Sequence, residues 1–215
     1  ISGQEVVATA WGTSILAMVD ALPYKSWPGV TVVQMLGGLG PIGHLEHSAE
    51  LTQRIAHKLG AKLRLLPAPG IVASQETAQI LRFDPQIQQV LDLAARADIA
   101  VVGLGVPLPD SLLLRTGTIL SQEDLLLLQT AGAVGDVALC YLDANGCPLK
   151  LELTERLIGL TLEQIANIPR VIGIAGGTVK RTIIRAALRG KLLDVLVTDQ
   201  YNAQALLAEA GEQRP

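Results

Sequence analysis

Four loops hold the residues whose types and spacing suit chemistry, and that chemistry is anion binding. Gly12-Thr13-Ser14 stands between a short apolar run and a helical pattern. A glycine there lets backbone amides approach an anion, and two hydroxyls at a helix start add donors beside the positive end of the dipole. Thr13 or Ser14 would serve equally as an ordinary helix cap, so both readings stand. Lys180 follows Gly176-Gly177-Thr178-Val179 at the start of another helix. A cation gains nothing from the dipole there, so Lys180 either points to solvent or meets an anion. Asp136 follows Gly135 and precedes a β-like run, where an aspartate also suits a plain helix-to-strand turn.

Other patterns are weaker. Gly38-Leu39-Gly40-Pro41-Ile42-Gly43 formally matches the dinucleotide-binding glycine spacing. Pro41 removes a backbone donor from that loop, and the following run Lys62–Leu66 ends in no acid for a ribose hydroxyl. A glycine-rich turn that brings backbone close to some ligand is the better reading. Leu108 stands where Gly103-x-Gly105 would need a third glycine, and Gly176-Gly177 lacks the spacer of a P-loop. His44 and His47 lie one helical turn apart with no third ligand in view, which suits a solvated helix start better than a metal site. No Ser-His-Asp elbow, C-x-x-C or H-E-x-x-H occurs. The expectation is no catalytic residue, no metal and no cofactor.

The composition bounds the scaffold. A chain of 215 residues and 22.7 kDa is expected to form one domain, spanning 1–215. Hydrophobic residues make up 49% but aromatics only 3%, so the apolar volume is aliphatic. That suits a sheet covered on both faces by helices better than an antiparallel sandwich. Charged residues at 17% and a mean hydropathy of +0.39 exclude intrinsic disorder. No apolar run reaches the roughly 18 residues of a membrane span. Gln4 and Glu5 stand where a signal peptide would be basic. Cys140 and Cys147 are too few for a zinc site and read as reduced thiols in a cytoplasmic protein. A net charge of -3 excludes an electrostatic nucleic-acid surface on this chain.

The elements that must position the loops alternate. Strands are expected at Val6–Ala10, Thr31–Leu36, Lys62–Leu66, Ile99–Leu104, Val137–Leu142, Val171–Ala175 and Val195–Thr198. Helices are expected from Ile15 to Leu22, from Leu45 to Leu59 stopped by Gly60, and from Asp84-Pro85 through Ala94. Others follow from Ser121 through the leucines at 125–128, over Lys180–Arg189 capped by Gly190, and over Tyr201–Ala210. A turn is expected at Asp143-Ala144-Asn145-Gly146. About six strand–helix units with short connections predict an α/β, doubly wound, mostly parallel, Rossmann-like sheet. Ligands in such sheets bind beyond the carboxyl ends of the strands, which gathers the loops Trp11–Ser14, Gly37–Gly43, Gly103–Asp110 and Gly176–Lys180 at one edge.

Several segments, in order, carry a resemblance. They are Trp11-Gly12-Thr13-Ser14, Leu66-Pro67-Ala68-Pro69-Gly70, Val102-Gly103-Leu104-Gly105 and Ala133-Val134-Gly135-Asp136-Val137, then Gly173-Ile174-Ala175-Gly176-Gly177 with Lys180, and Leu196-Val197-Thr198-Asp199. Together they resemble the effector-binding domain of the SorC/DeoR-type bacterial sugar-responsive regulators, the group that includes the central glycolytic gene regulator. The resemblance implies a fold similar to ribose-5-phosphate isomerase and glucosamine-6-phosphate deaminase, used as a sensor. A phosphorylated sugar would bind at the strand ends and alter both oligomerisation, as a homodimer or tetramer, and operator affinity. By the same resemblance Gly12, Thr13 and Ser14 would hold a phosphate, and Gly37 and Gly38 would line the site with backbone. Gly105 would belong to the effector site, Asp136 would accept sugar hydroxyls, and Lys180 would meet the phosphate or a sugar oxygen.

Two departures modify this. Family members carry an N-terminal helix-turn-helix domain, whereas this sequence opens at a strand, so operator DNA would be reached only through that missing part. The first strand–helix unit of the effector domain is open to the same question. Leu36 stands where some members place an arginine before the paired glycines, which points to a monophosphate rather than a bisphosphate. The alternative is a sugar-phosphate isomerase or deaminase on the same fold. Such an enzyme needs a carboxylate base near C1–C2 and a second acid or histidine. Asp136 is the one convincing base, and His44, His47 and His57 all fall on one expected helix.

Overall fold

The computed structural model describes residues 2–39, 48–108 and 120–212. The first half contains β1 (Val6–Thr9), α1 (Thr13–Ala21), β2 (Thr31–Gln34), α2 (Ser48–Lys58), β3 (Lys62–Arg64), α3 (Gln75–Arg82), α4 (Pro85–Ala95) and β4 (Ile99–Gly105). It continues with α5 (Gln122–Thr130), β5 (Gly135–Val137), β6 (Cys140–Leu142), α6 (Glu152–Glu155), α7 (Leu162–Ala166) and β7 (Val171–Ile174). A single 3-10 turn (Thr178–Lys180), α8 (Arg181–Arg189), β8 (Val195–Val197) and α9 (Gln200–Glu212) complete it. Gly40–Gly43, His44, His47 and the end of the Gly103–Asp110 loop lie outside the described residues.

Six strands pair in parallel in the order β3-β2-β1-β4-β7-β8, matching the expected count of strand–helix units. The chain winds outward through α1 and α2, then returns past β1 to form β4. Winding direction therefore reverses between β1 and β4, the point beyond whose strand ends sheets of this kind bind ligands. The central strands are apolar on both faces, as a doubly covered sheet requires: Val7, Ala8, Val32, Val33, Ala100, Val102 and Leu104 are all buried. Each valine or leucine so buried contributes about 1.5–3 kcal/mol relative to exposure. Helix starts follow local chemistry. The Ser74 hydroxyl accepts from the Thr77 amide, Asp84 caps α4 ahead of Pro85, and Ser121 with Asp124 forms a reciprocal capping box.

Several element boundaries differ from expectation, the following among them. The expected strand Val137–Leu142 is a tight hairpin, with Ala138 at φ 50° and Leu139 at φ 66° forming its two-residue turn. Both positions need left-handed backbone that asparagine or glycine would adopt at less cost, so nothing local announces the turn. Burial of both side chains and a bond from the Leu139 amide to Asp136 Oδ2 at 2.9 Å hold it. The third strand ends at Arg64 rather than Leu66, because the Leu66 amide donates to the Gln34 side chain instead of a ladder carbonyl. The helix expected from Lys180 begins one turn earlier as the 3-10 turn, and α8 proper starts at Arg181.

Candidate functional site

The carboxyl ends of β1, β4 and β7 lie side by side, and the loops that leave them carry most of the expected site. After β1, Gly12 takes φ 121°, a conformation open to glycine, and serves as the N-cap of α1 without any side-chain cap. Thr13 and Ser14 are thus the first two helical residues rather than its cap. Thr13 is exposed and Ser14 half-exposed, and space is open around Gly12. The first amides of α1 therefore face solvent at the positive end of a nine-residue helix. The Trp11 carbonyl lies against Gly103 of β4, which fixes this turn beside the next strand.

β4 outruns its parallel neighbours, and its last two residues pair with the hairpin instead: Leu104 opposite Val137, and Gly105 opposite Asp136. Asp136 Oδ1 folds over Gly105 so closely that any Cβ at 105 would collide with it. Asp136 is 4% exposed, and its Oδ1 has no hydrogen-bond partner among the described residues. Burial pushes its carboxyl above the ordinary carboxylate range, while the Leu139 amide and the Lys180 charge pull the other way.

Lys180 reaches back across β7 to this point. Its Nζ donates to the Leu104 carbonyl at 2.7 Å. Burial lowers the proton affinity of the ammonium, and the Asp136 charge opposes that. Lys180 does not run to solvent, and it senses Asp136 without forming a direct ion pair. One of its three N–H groups is engaged here, which leaves the ammonium a ready donor for an incoming anion.

A clamp that sequence reasoning missed holds the Lys180 loop. Asp199 Oδ2 accepts from the Gly177 amide at 2.8 Å, and Asn202 Nδ2 donates to the Gly177 carbonyl at 3.0 Å. Asp199 Oδ1 also accepts from the Asn202 amide, and these amides keep the Asp199 carboxyl below its usual range. The readable signal was Asp199 just ahead of a helix, an ordinary cap pattern.

Gly37 and Gly38 stand apart from this cluster. The Gly37 amide donates to Ile158 O and the Gly38 amide to Ala68 O, while their carbonyls accept from Ser48 Oγ and the Gly70 amide. Their donors are spent on main chain and side chain of the protein, so they shape the floor rather than offering amides to a ligand. Gly12, Thr13, Ser14, Gly105, Asp136 and Lys180 share the edge of the sheet: Asp136 lies against Gly105, and Lys180 bonds the neighbouring Leu104 carbonyl. Among the described residues no group of three metal-ligating side chains occurs. No helix among them is long and apolar enough to cross a membrane.

The chain is similar to known proteins along nearly its whole described length. Residues 1–208 match the Sugar-bind family model, described as "Putative sugar-binding domain". The chain is 38% identical to Transcriptional regulator LsrR of Klebsiella pneumoniae subsp. pneumoniae, covering 96% of this chain and 62% of that protein. It is 31% identical to the Deoxyribonucleoside regulator of Bacillus subtilis, over 94% of this chain and 64% of that one. A DeoR family transcriptional regulator from Listeria monocytogenes superposes with a TM-score of 0.85 at 27% identity, over 93% of this chain and 78% of that one. The chain thus spans just under two thirds of the length of these curated relatives.

Proposed function

This chain belongs to the Sugar-bind family, the sugar-binding domains of transcriptional regulators, and from that premise we propose that its effector is a monophosphorylated sugar or polyol. One observation carries the reading. A buried carboxylate with a free oxygen, a lysine with unspent donors and an uncapped helix N-terminus meet at a single sheet edge. A phosphate suits the α1 amides with Thr13 and Ser14, where negative charge meets the positive dipole end. Asp136 Oδ1 suits a sugar hydroxyl, and Lys180 suits a phosphate or ring oxygen. Leu36, 1% exposed in the core, offers no second cation, which favours one phosphate over two.

Thermal shift against a panel of sugars and sugar phosphates tests this. A monophosphate at about 100 times its Kd should stabilise the fold by ~2.7 kcal/mol, raising Tm by roughly 5–10 °C. Stabilisation by free sugars alone would remove the phosphate from the reading.

We read the domain as a sensor rather than an isomerase or deaminase of similar fold. Asp199, a second carboxylate at this edge among the described residues, has both oxygens tied to amides and is held ionised, so it is a poor proton donor. Proton exchange at C2 of the bound sugar phosphate would reverse that assignment. Operator contact belongs, on this proposal, to the part of the regulators' length that this chain does not span, while the domain self-associates. Leu125 and Leu128 are core, but Leu126 and Leu127 are 64% and 59% exposed, so half of that leucine run faces outward. The isolated chain should sediment as a dimer or larger and leave operator DNA unshifted at low salt. A strict monomer, or a submicromolar shift, would contradict the respective half of this statement.

A further inference from the structure

We propose that the groove between α3, β6 and the α6–α7 segment is a second ligand site, one for a small organic anion with an apolar body. The groove has a volume of about 430 Å³, within the range of small-molecule sites, and its lining includes none of the residues assigned to the sheet-edge site. Its walls are Leu149, Leu157, Leu160 and Leu162. Those walls suit an aliphatic or aromatic body.

Two polar side chains in it are incomplete. Tyr141 is 1% exposed, lines the groove, and its hydroxyl is buried with no hydrogen-bond partner among the described residues. A tyrosine buried to this degree normally finds a partner, because leaving its bond unmade forfeits the hydration it gave up on burial. Arg82 also lines the groove and is half-buried. Its Nη2 donates to the Leu157 carbonyl at 2.9 Å and the Gly159 carbonyl at 3.2 Å. Those carbonyls satisfy hydrogens but not charge, and no carboxylate lies within ion-pair distance of Arg82 among the described residues. The guanidiniums of Arg156 and Arg185 do pair, with Asp124 and Glu209. The groove's other charges, Lys150, Glu155 and Glu163, are exposed at its rim, where water screens them. Glu155 only partly offsets the Arg82 charge, so a half-buried cation beside leucine walls favours an anion that carries its own hydrocarbon, and on this proposal the Tyr141 hydroxyl supplies a further donor.

Calorimetric titration with octanoate, and with 1-octanol as its neutral counterpart, tests the site. Octanoate should bind once per chain, and 1-octanol about tenfold more weakly or worse. Arg82→Met should lower octanoate affinity about tenfold and Tyr141→Phe about threefold. Because Arg82 also holds two carbonyls, Gln79→Trp is the variant that guards against misfolding: Gln79 is exposed on α3 at the groove, so the indole should block binding while Tm stays at the parent value. Lys180→Ala should leave octanoate binding unchanged, which separates this site from the sheet edge. Absent octanoate binding, equal affinity for 1-octanol, or full binding by a folded Gln79→Trp variant would each overturn the proposal.

Discussion

Lys180→Ala is expected to weaken sugar-phosphate binding by roughly 10- to 150-fold, the value of a charge-assisted hydrogen bond of about 1.5–3 kcal/mol. The ammonium sits where burial already taxes its charge, so an anion arriving beside it finds a donor that water solvates poorly. Lys180→Met keeps the aliphatic stem and removes the charge, so it should lose nearly as much affinity. Either change also strips the Leu104 carbonyl of a 2.7 Å donor and Asp136 of its nearby cation. Apo stability should therefore fall by about 1 kcal/mol, rather than rise as the helix-dipole argument alone would have it. Isothermal calorimetry with the best monophosphate of the panel reads both variants. Parent-like affinity in both would make Lys180 a strut for β4 and nothing more.

Asp136→Asn is expected to separate stability from function. Ligand affinity should drop at least tenfold, because an amide replaces the charged acceptor at the one unpartnered oxygen. Apo stability at neutral pH should rise by about 1 kcal/mol, or roughly 2–4 °C in Tm, because a buried charge disappears while the carboxamide oxygen of the variant can still accept from the Leu139 amide. The pH dependence fixes the cause. Burial raises the folded-state pKa of Asp136 above its unfolded value of about 4, so its favourable contribution is complete below that pH and is lost as pH climbs through the folded value. The advantage of the Asp136→Asn variant should accordingly grow from about pH 4 upward and vanish below it. A stability difference that is flat with pH, or a variant that binds as tightly as the parent, would refute this account. A stabilising substitution that abolishes binding is the signature of a residue kept for function.

Much of this was legible because it is local. Alternating aliphatic runs and glycine-rich turns specify a parallel sheet with helical crossovers, whatever the rest of the chain does. Ser121 with Asp124, Asp84 with Pro85, and the Asp143-to-Gly146 turn formed as their side chains dictate, since each bond closes within four residues. Gly12, Asp136 and Lys180 could be singled out for the same reason, each standing at a strand–helix junction where its residue type is informative.

Tertiary structure decided what those residues meet. Ala138 and Leu139 disfavour a tight turn, yet core burial and the reach of Asp136 to the Leu139 amide impose one, and that turn sets the carboxylate over Gly105. Gly37 and Gly38 were expected to line the site with backbone, and the partners that hold them, Ala68, Gly70 and Ile158, lie about 30 and 120 residues along the chain, beyond the range of any local pattern. Lys180 finds Leu104 because β4 and β7 are neighbours, a consequence of strand order rather than of either segment. Arg82 and Tyr141, on a helix and a strand 59 residues apart, share a groove only because α6 and α7 close its far wall. The sequence by itself determined which groups could bind an anion and on what kind of sheet. The long-range packing of apolar faces determined which of those groups were spent on the protein itself and which were left with a bond to make.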